Sequence, residues 1–162
     1  MNWIHAHLVV NHLPVLGPVF ALGLGAAGVI LKKRDLERAA YVVLVLAALL
    51  TVAAFFTGEK AEEAAERSGA VNHRLIHEHE EEAEFARLVA FAAGALAAGA
   101  WWASRKGKTA PIWLRLLVLV GAGATLLHMA HTATHGGQIR HPALLDGAAA
   151  PAAGAEAGES DD

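Results

Sequence analysis

Residues Leu8 to Leu31 read LVVNHLPVLGPVFALGLGAAGVIL, and this stretch decides the fold. It holds one ionisable group, His12, in some 24 residues. At roughly 1.5 Å per residue that is enough helix to cross a hydrocarbon core of ~30 Å. Pro14 and Pro18 fall in its first turns, where proline harms a helix least. Gly17, Ala21, Gly25 and Gly28 form a small-residue stripe along which a neighbouring helix, or a flat ligand, can come close. Met1 to His7 lacks the lysine or arginine of a signal peptide, so the segment is expected to be a retained helix.

Three more apolar segments follow at about 39–57, 85–103 and 112–134. The chain has 162 residues, 55% of them hydrophobic, and its apolar residues fall in these blocks rather than being spread as in a water-soluble domain. Together they predict an all-α integral membrane four-helix bundle, antiparallel, in one domain over 1–146. A short extramembrane helical segment is expected between the second and third helices, because Glu59 to Arg67 is built of strong helix formers. Ser68-Gly69 breaks it, and Asn72 is the expected N-cap of a helix running on into the third segment. Pro111 suits the first position of the fourth, with Arg115 able to snorkel back to the interface. Residues 147–162, rich in Ala, Gly and acid, read as a disordered tail.

Composition narrows the chemistry. With no cysteine the chain can build no disulfide, thiolate metal site, iron–sulfur cluster or covalently attached haem. A net charge of −3 without a basic soluble face argues against nucleic acid. The two short loops carry Lys32, Lys33, Arg34, Arg38, Arg105, Lys106 and Lys108, and the positive-inside rule places them in the cytoplasm. The chain is then expected in the bacterial inner membrane, with both termini and the nine glutamates of Glu59–Glu84 on the periplasmic side.

All ten histidines fall at that outer end. They come from three regions: His5, His7 and His12; His73, His77 and His79; and His128, His131, His135 and His141. Counting ~1.5 Å per residue from the cytoplasmic ends puts His12, His128 and His131 at a common depth of ~24–28 Å, just inside the membrane edge. His7, His77, His79 and His135 lie higher, beyond the lipid. Imidazole is the commonest biological nitrogen ligand, and bundles often hold cofactors between facing helices.

The first reading is a haem b held between segments one and four. His12 opposes His128 or His131 as axial ligand, Gly17, Gly121 and Gly123 open a slot, and Arg140 meets the propionates. A second haem would use His79 with His7 or His141. The protein would then be an electron-transfer protein or redox subunit, exchanging electrons with a quinone or a periplasmic redox partner. The second reading is a non-haem iron, copper or zinc site drawn from His7, His12, His77, His79, His128, His131, His135 and His141, with Glu62, Glu78 or Glu80. The third is a cofactor-free anchor or assembly subunit of a larger membrane complex.

Asn11-His12-Leu13-Pro14, Thr57-Gly58-Glu59-Lys60-Ala61-Glu62, His79-Glu80 and Gly136-Gly137-Gln138-Ile139-Arg140-His141 occur in that order. Together they resemble a family of uncharacterised four-helix bacterial membrane proteins over about residues 5–145. The resemblance implies a four-helix bacterial membrane protein and suggests kinship with di-haem b-type cytochromes. It implies no activity. It favours His12, His79 and His141 as site residues, because they sit in the motifs, over His128, His131 and His135, which do not.

Overall fold

The structure, a computed structural model, describes residues 2–67 and 73–140, with the backbone alone for 138–140. Asn72, His141 and the 147–162 tail lie outside the described residues, as does the side chain of Arg140. Five helical elements follow in order: α1 (Trp3–Val10), α2 (His12–Leu31), α3 (Arg34–Glu66), α4 (His73–Ala103) and α5 (Ile112–Arg140). Among the described residues there is no strand.

Helices α1 and α2 form one path from Trp3 to Leu31, interrupted only at Asn11, so four helical spans are long and apolar enough to cross a membrane. The break has a local cause: Pro14 has no N–H to return to the carbonyl of Val10, and its ring crowds that carbonyl. Asn2 caps α1, its side chain accepting from the His5 amide at 3.3 Å. Helix α3 runs unbroken through Gly58 to Glu66, and α4 begins at His73. The polar segment between the second and third spans is therefore built as extensions of α3 and α4. Their 33 and 31 residues, at ~1.5 Å each, exceed a ~30 Å core, so these acidic ends project beyond the apolar stretches 39–57 and 85–103.

The helices close a ring, α2 against α3, α3 against α4, α4 against α5 and α5 against α2, with α1 lying on α3. Successive spans are antiparallel neighbours, and large side chains such as Phe20, Ile30, Leu88, Trp102 and Leu127 point outward to where lipid would lie. The inner faces are small. Helix α2 buries Pro14, Pro18, Ala21, Gly25 and Gly28, and α4 buries Ala86, Ala90, Ala93, Ala97 and Ala100. Such faces let backbones approach closely where there is no hydrophobic drive between helices.

These two lists are related by one shift of 72 residues: 14 to 86, 18 to 90, 21 to 93, 25 to 97 and 28 to 100. Helices α3 and α5 are related by a shift of 78, with buried Ala40, Leu44, Ala47 and Thr51 matching Val118, Ala122, Thr125 and Met129. The second hairpin, α4–α5, thus repeats the first, α1/α2–α3, in the same direction. The ring of contacts has the matching two-fold symmetry about an axis parallel to the helices. Ala86 stands where the first hairpin has Pro14, which is why α4 passes that level unbroken.

At the end with the short loops, Arg34 donates to the carbonyl of Gly107 and Arg38 to that of Ser104, tying the 32–33 turn to the 104–111 loop. Arg115 does not snorkel to the interface. It turns inward and forms a two-pronged pair with Glu37 at 2.5 and 2.8 Å, with Glu37 only 3% exposed. Glu37 and Arg115 are counterparts under the 78-residue shift, so the pair crosses the two-fold axis. A carboxylate buried among apolar helices is tolerable only when paired, and this overrides the outward route.

Candidate functional site

The histidine end is organised as an inner layer and an outer cleft. The inner layer begins with His7 on α1. Its Nδ1 lies 3.1 Å from the Ala54 carbonyl and 3.3 Å from Thr57 Oγ1 on α3. A carbonyl can only accept, so this nitrogen carries the proton, and in the neutral ring Nε2 keeps its lone pair, with no partner among the described residues. His79 on α4 repeats the arrangement: Nδ1 donates to the Thr132 carbonyl on α5 at 3.1 Å.

Each ring rests on a glycine four residues beyond that carbonyl. A methyl group at Gly58 would come within 3.3 Å of the His7 ring, and one at Gly136 within 3.1 Å of the His79 ring. Ala54 and Gly58 map onto Thr132 and Gly136 under the shift of 78, as His7 maps onto His79 under the shift of 72. Both hairpins thus carry the same seat: an imidazole on one helix, a carbonyl and a glycine on the next. The two imidazoles lie near enough to interact electrostatically.

The layer continues into His135, which also interacts electrostatically with His79. Its buried Nδ1 has no hydrogen-bond partner among the described residues. The His135 ring meets the His131 ring edge-on at 4.8 Å. Burial holds the His79 imidazole below its usual range; the Thr132 carbonyl and the neighbouring Glu80 oppose this, while His135 reinforces it. Glu62 on the projecting end of α3 is hydrogen-bonded to Glu80 of α4. Desolvation, then Glu80, then Glu66 and Glu59, raise its carboxyl to about 7.

The outer cleft lies between α4 and α5 at the membrane edge. It is an open cleft of about 540 Å³ lined by Glu81, Glu82, Phe85, Leu127, His128 and His131. His128 packs edge-on against Phe85 at 4.8 Å, and His131 Nε2 lies 3.6 Å from the Glu82 carboxylate.

The expected pairing of His12 with His128 or His131 is not formed as a contact: among the described residues no hydrogen bond, ion pair or ring contact joins them. His12 is exposed, and its Nδ1 donates to Leu8 of the preceding turn at 2.5 Å. At ~100° per residue it stands ~200° around the helix from buried Pro14, so the packing of α2 turns it away from the axis. The eight-histidine metal reading fares similarly. Among the described residues no group of three or more histidine or carboxylate side chains could hold a metal ion. His77 leans outward toward Glu80 and Glu81, Glu78 is taken by Arg74, and His128, His131 and His135 turn to different neighbours. His5 and His73 are exposed, the latter against Glu66.

Sequence reasoning placed His7, His79 and His135 at one level and offered His79 with His7 or His141 for a second haem, but put His12 with His128 or His131 first. The available signal was periodicity: Leu75, His79 and Ala86 lie on one helix face, and all but the histidine are buried. No family model, curated protein or solved structure matches the chain.

Proposed function

We propose that the protein is a haem-b electron-transfer protein, or the redox subunit of a larger membrane complex, in the bacterial inner membrane. Its cofactor end faces the periplasm, as the basic short loops favour. One observation carries this reading: His7 and His79, one from each hairpin, are both held by Nδ1 on a backbone carbonyl, with Nε2 unpaired among the described residues. A ligating histidine has this form, because the second hydrogen bond fixes the tautomer and makes the free nitrogen more basic. The donor set therefore fits the iron of a haem. His7 and His79, rather than His12, His128 and His131, would hold the group.

Haem when bound would supply one-electron chemistry at the outer face. The chain's part is to hold two neutral imidazoles in fixed orientation and to keep them from solvent. Gly58 and Gly136 keep the rings close to the neighbouring backbones, where a side chain would displace them. His135, with a buried nitrogen unpaired among the described residues, is the remaining polar group available to this layer.

The test is a visible spectrum of protein purified from haem-replete cells. A six-coordinate low-spin spectrum with a sharp reduced α-band is expected. His7→Ala and His79→Ala should each abolish it, while His12→Ala leaves it unchanged. Colourless protein sinks the reading.

A further inference from the structure

The repeat supplies an internal control for the outer cleft. Its six lining residues map, by the shifts of 72 and 78, onto Val9, Val10, Leu13, Leu49, Leu50 and Ala53 of the first hairpin. The first hairpin carries apolar side chains alone at these six places. Folding therefore does not require Glu81, Glu82, His128 or His131 at these places. Two carboxylates and two imidazoles gathered round one cleft, where the other hairpin is apolar, point to a ligand.

The shape of the cleft says what kind. Leu127 is 72% and Phe85 50% exposed at its mouth, where lipid would lie, so a ligand can enter from the bilayer. The edge-on pair of Phe85 and His128 offers an aromatic wall for a flat ring. The His131–Glu82 pair beside it offers hydrogen-bond acceptors at the polar end. From His131 the imidazoles continue through His135 to His79 and His7, a line from the lipid side to the inner layer. Imidazoles in line can hand protons from one ring to the next.

We propose that this cleft binds a lipid-soluble quinol. The ring lies against Phe85 and His128, a hydroxyl donates to the His131–Glu82 pair, and the apolar tail leaves past Leu127. The proposal rests on the electron-transfer reading for its biological sense, but the binding can be measured with or without haem.

The test uses the full-length protein in lipid nanodiscs with decylubiquinone and decylubiquinol as probes, read by calorimetric titration. The informative variant is Glu82→Val, His128→Leu, His131→Ala, which installs the residues that the first hairpin already carries at the same places. Wild type should give a saturable isotherm with one site per chain. The triple variant should lose about tenfold or more in affinity, the scale expected when charge-assisted hydrogen bonds are removed. Its circular dichroism and melting should stay unchanged, and His131→Ala alone, a milder change, should show the same direction.

No saturable binding to wild type, at any phospholipid composition, overturns the proposal; a phospholipid headgroup as the true occupant gives that outcome. Undiminished binding to the folded triple variant overturns it as well. A colourless protein that binds quinone and loses it in the variants removes the haem reading and keeps the cleft. A haem protein that ignores quinone does the reverse.

Discussion

The two hairpins are the same object built twice, and their differences separate what the fold needs from what a site needs. Both bury a face of small residues, and both seat an imidazole on a neighbouring carbonyl and glycine. That shared seat is the part a ligand on the axis would use. They part company in three places. Pro14 breaks the first helix where Ala86 lets the third run on; Glu37 and Arg115 occupy equivalent positions with opposite charges; and the positions that line the cleft with glutamate and histidine in the second hairpin are apolar in the first. The charge reversal is the most instructive. Like charges at a position mapped across a two-fold axis would repel, whereas opposite charges weld the hairpins together.

Breaking that weld should have the largest effect on stability. Glu37→Ala leaves the Arg115 guanidinium buried without its partner and should cost about 3 kcal/mol in detergent unfolding. The double change Glu37→Leu, Arg115→Leu should recover most of it. An unaffected single variant would mean that the pair does not hold the halves together. Next come the seats themselves. His7→Ala and His79→Ala each remove a half-buried ring and a hydrogen bond, so each should cost about 2 kcal/mol. Their equality is the sharper prediction, since clearly unequal losses would show that the two seats are not equivalent.

Acidity probes a feature of the α3–α4 junction alone. The Glu62 carboxyl titrates at about 7 in the fold, against 4.5 as a free side chain, through burial and its neighbours Glu80, Glu66 and Glu59. The fold therefore binds this proton more tightly than the unfolded chain does. Its contribution is complete below about pH 4.5 and is lost as pH rises through about 7. Melting temperature should fall between pH 5 and pH 8 from this group, and Glu62→Gln should flatten that part of the profile. The smallest effect is expected in the outer cleft: Glu82→Val, His128→Leu and His131→Ala together should move stability by no more than about 0.5 kcal/mol, the usual range for exposed sites away from special features. A large loss would remove the first hairpin as a valid control.

Depth along the helices could be read from the chain, because rise per residue is nearly constant and the ends are marked by charge. Four spans, the common level of His7, His79 and His135, and the membrane-edge level of His128 and His131 follow from counting alone. Rotation about each helix axis could not be read in the same way. Counting gives the depth of His12 but not its azimuth: α2 packs through Pro14, Pro18 and Ala21 and leaves it exposed. Arg115 has a length that permits snorkelling, but a carboxylate 78 positions earlier in the chain claims it.

The sequence by itself determined that this is an all-helical chain of four apolar spans with its imidazoles gathered at one end. Local periodicity, composition and charge are enough for that, because each span satisfies its own backbone hydrogen bonds. Only the tertiary structure decided which imidazoles turn inward, which carbonyl fixes each one, and that the second hairpin repeats the first. Those facts depend on contacts between residues far apart in the chain, such as His7 with Ala54 and His79 with Thr132. Close packing of small faces sets the rotation of every helix, and that rotation selects the side chains that meet on the axis.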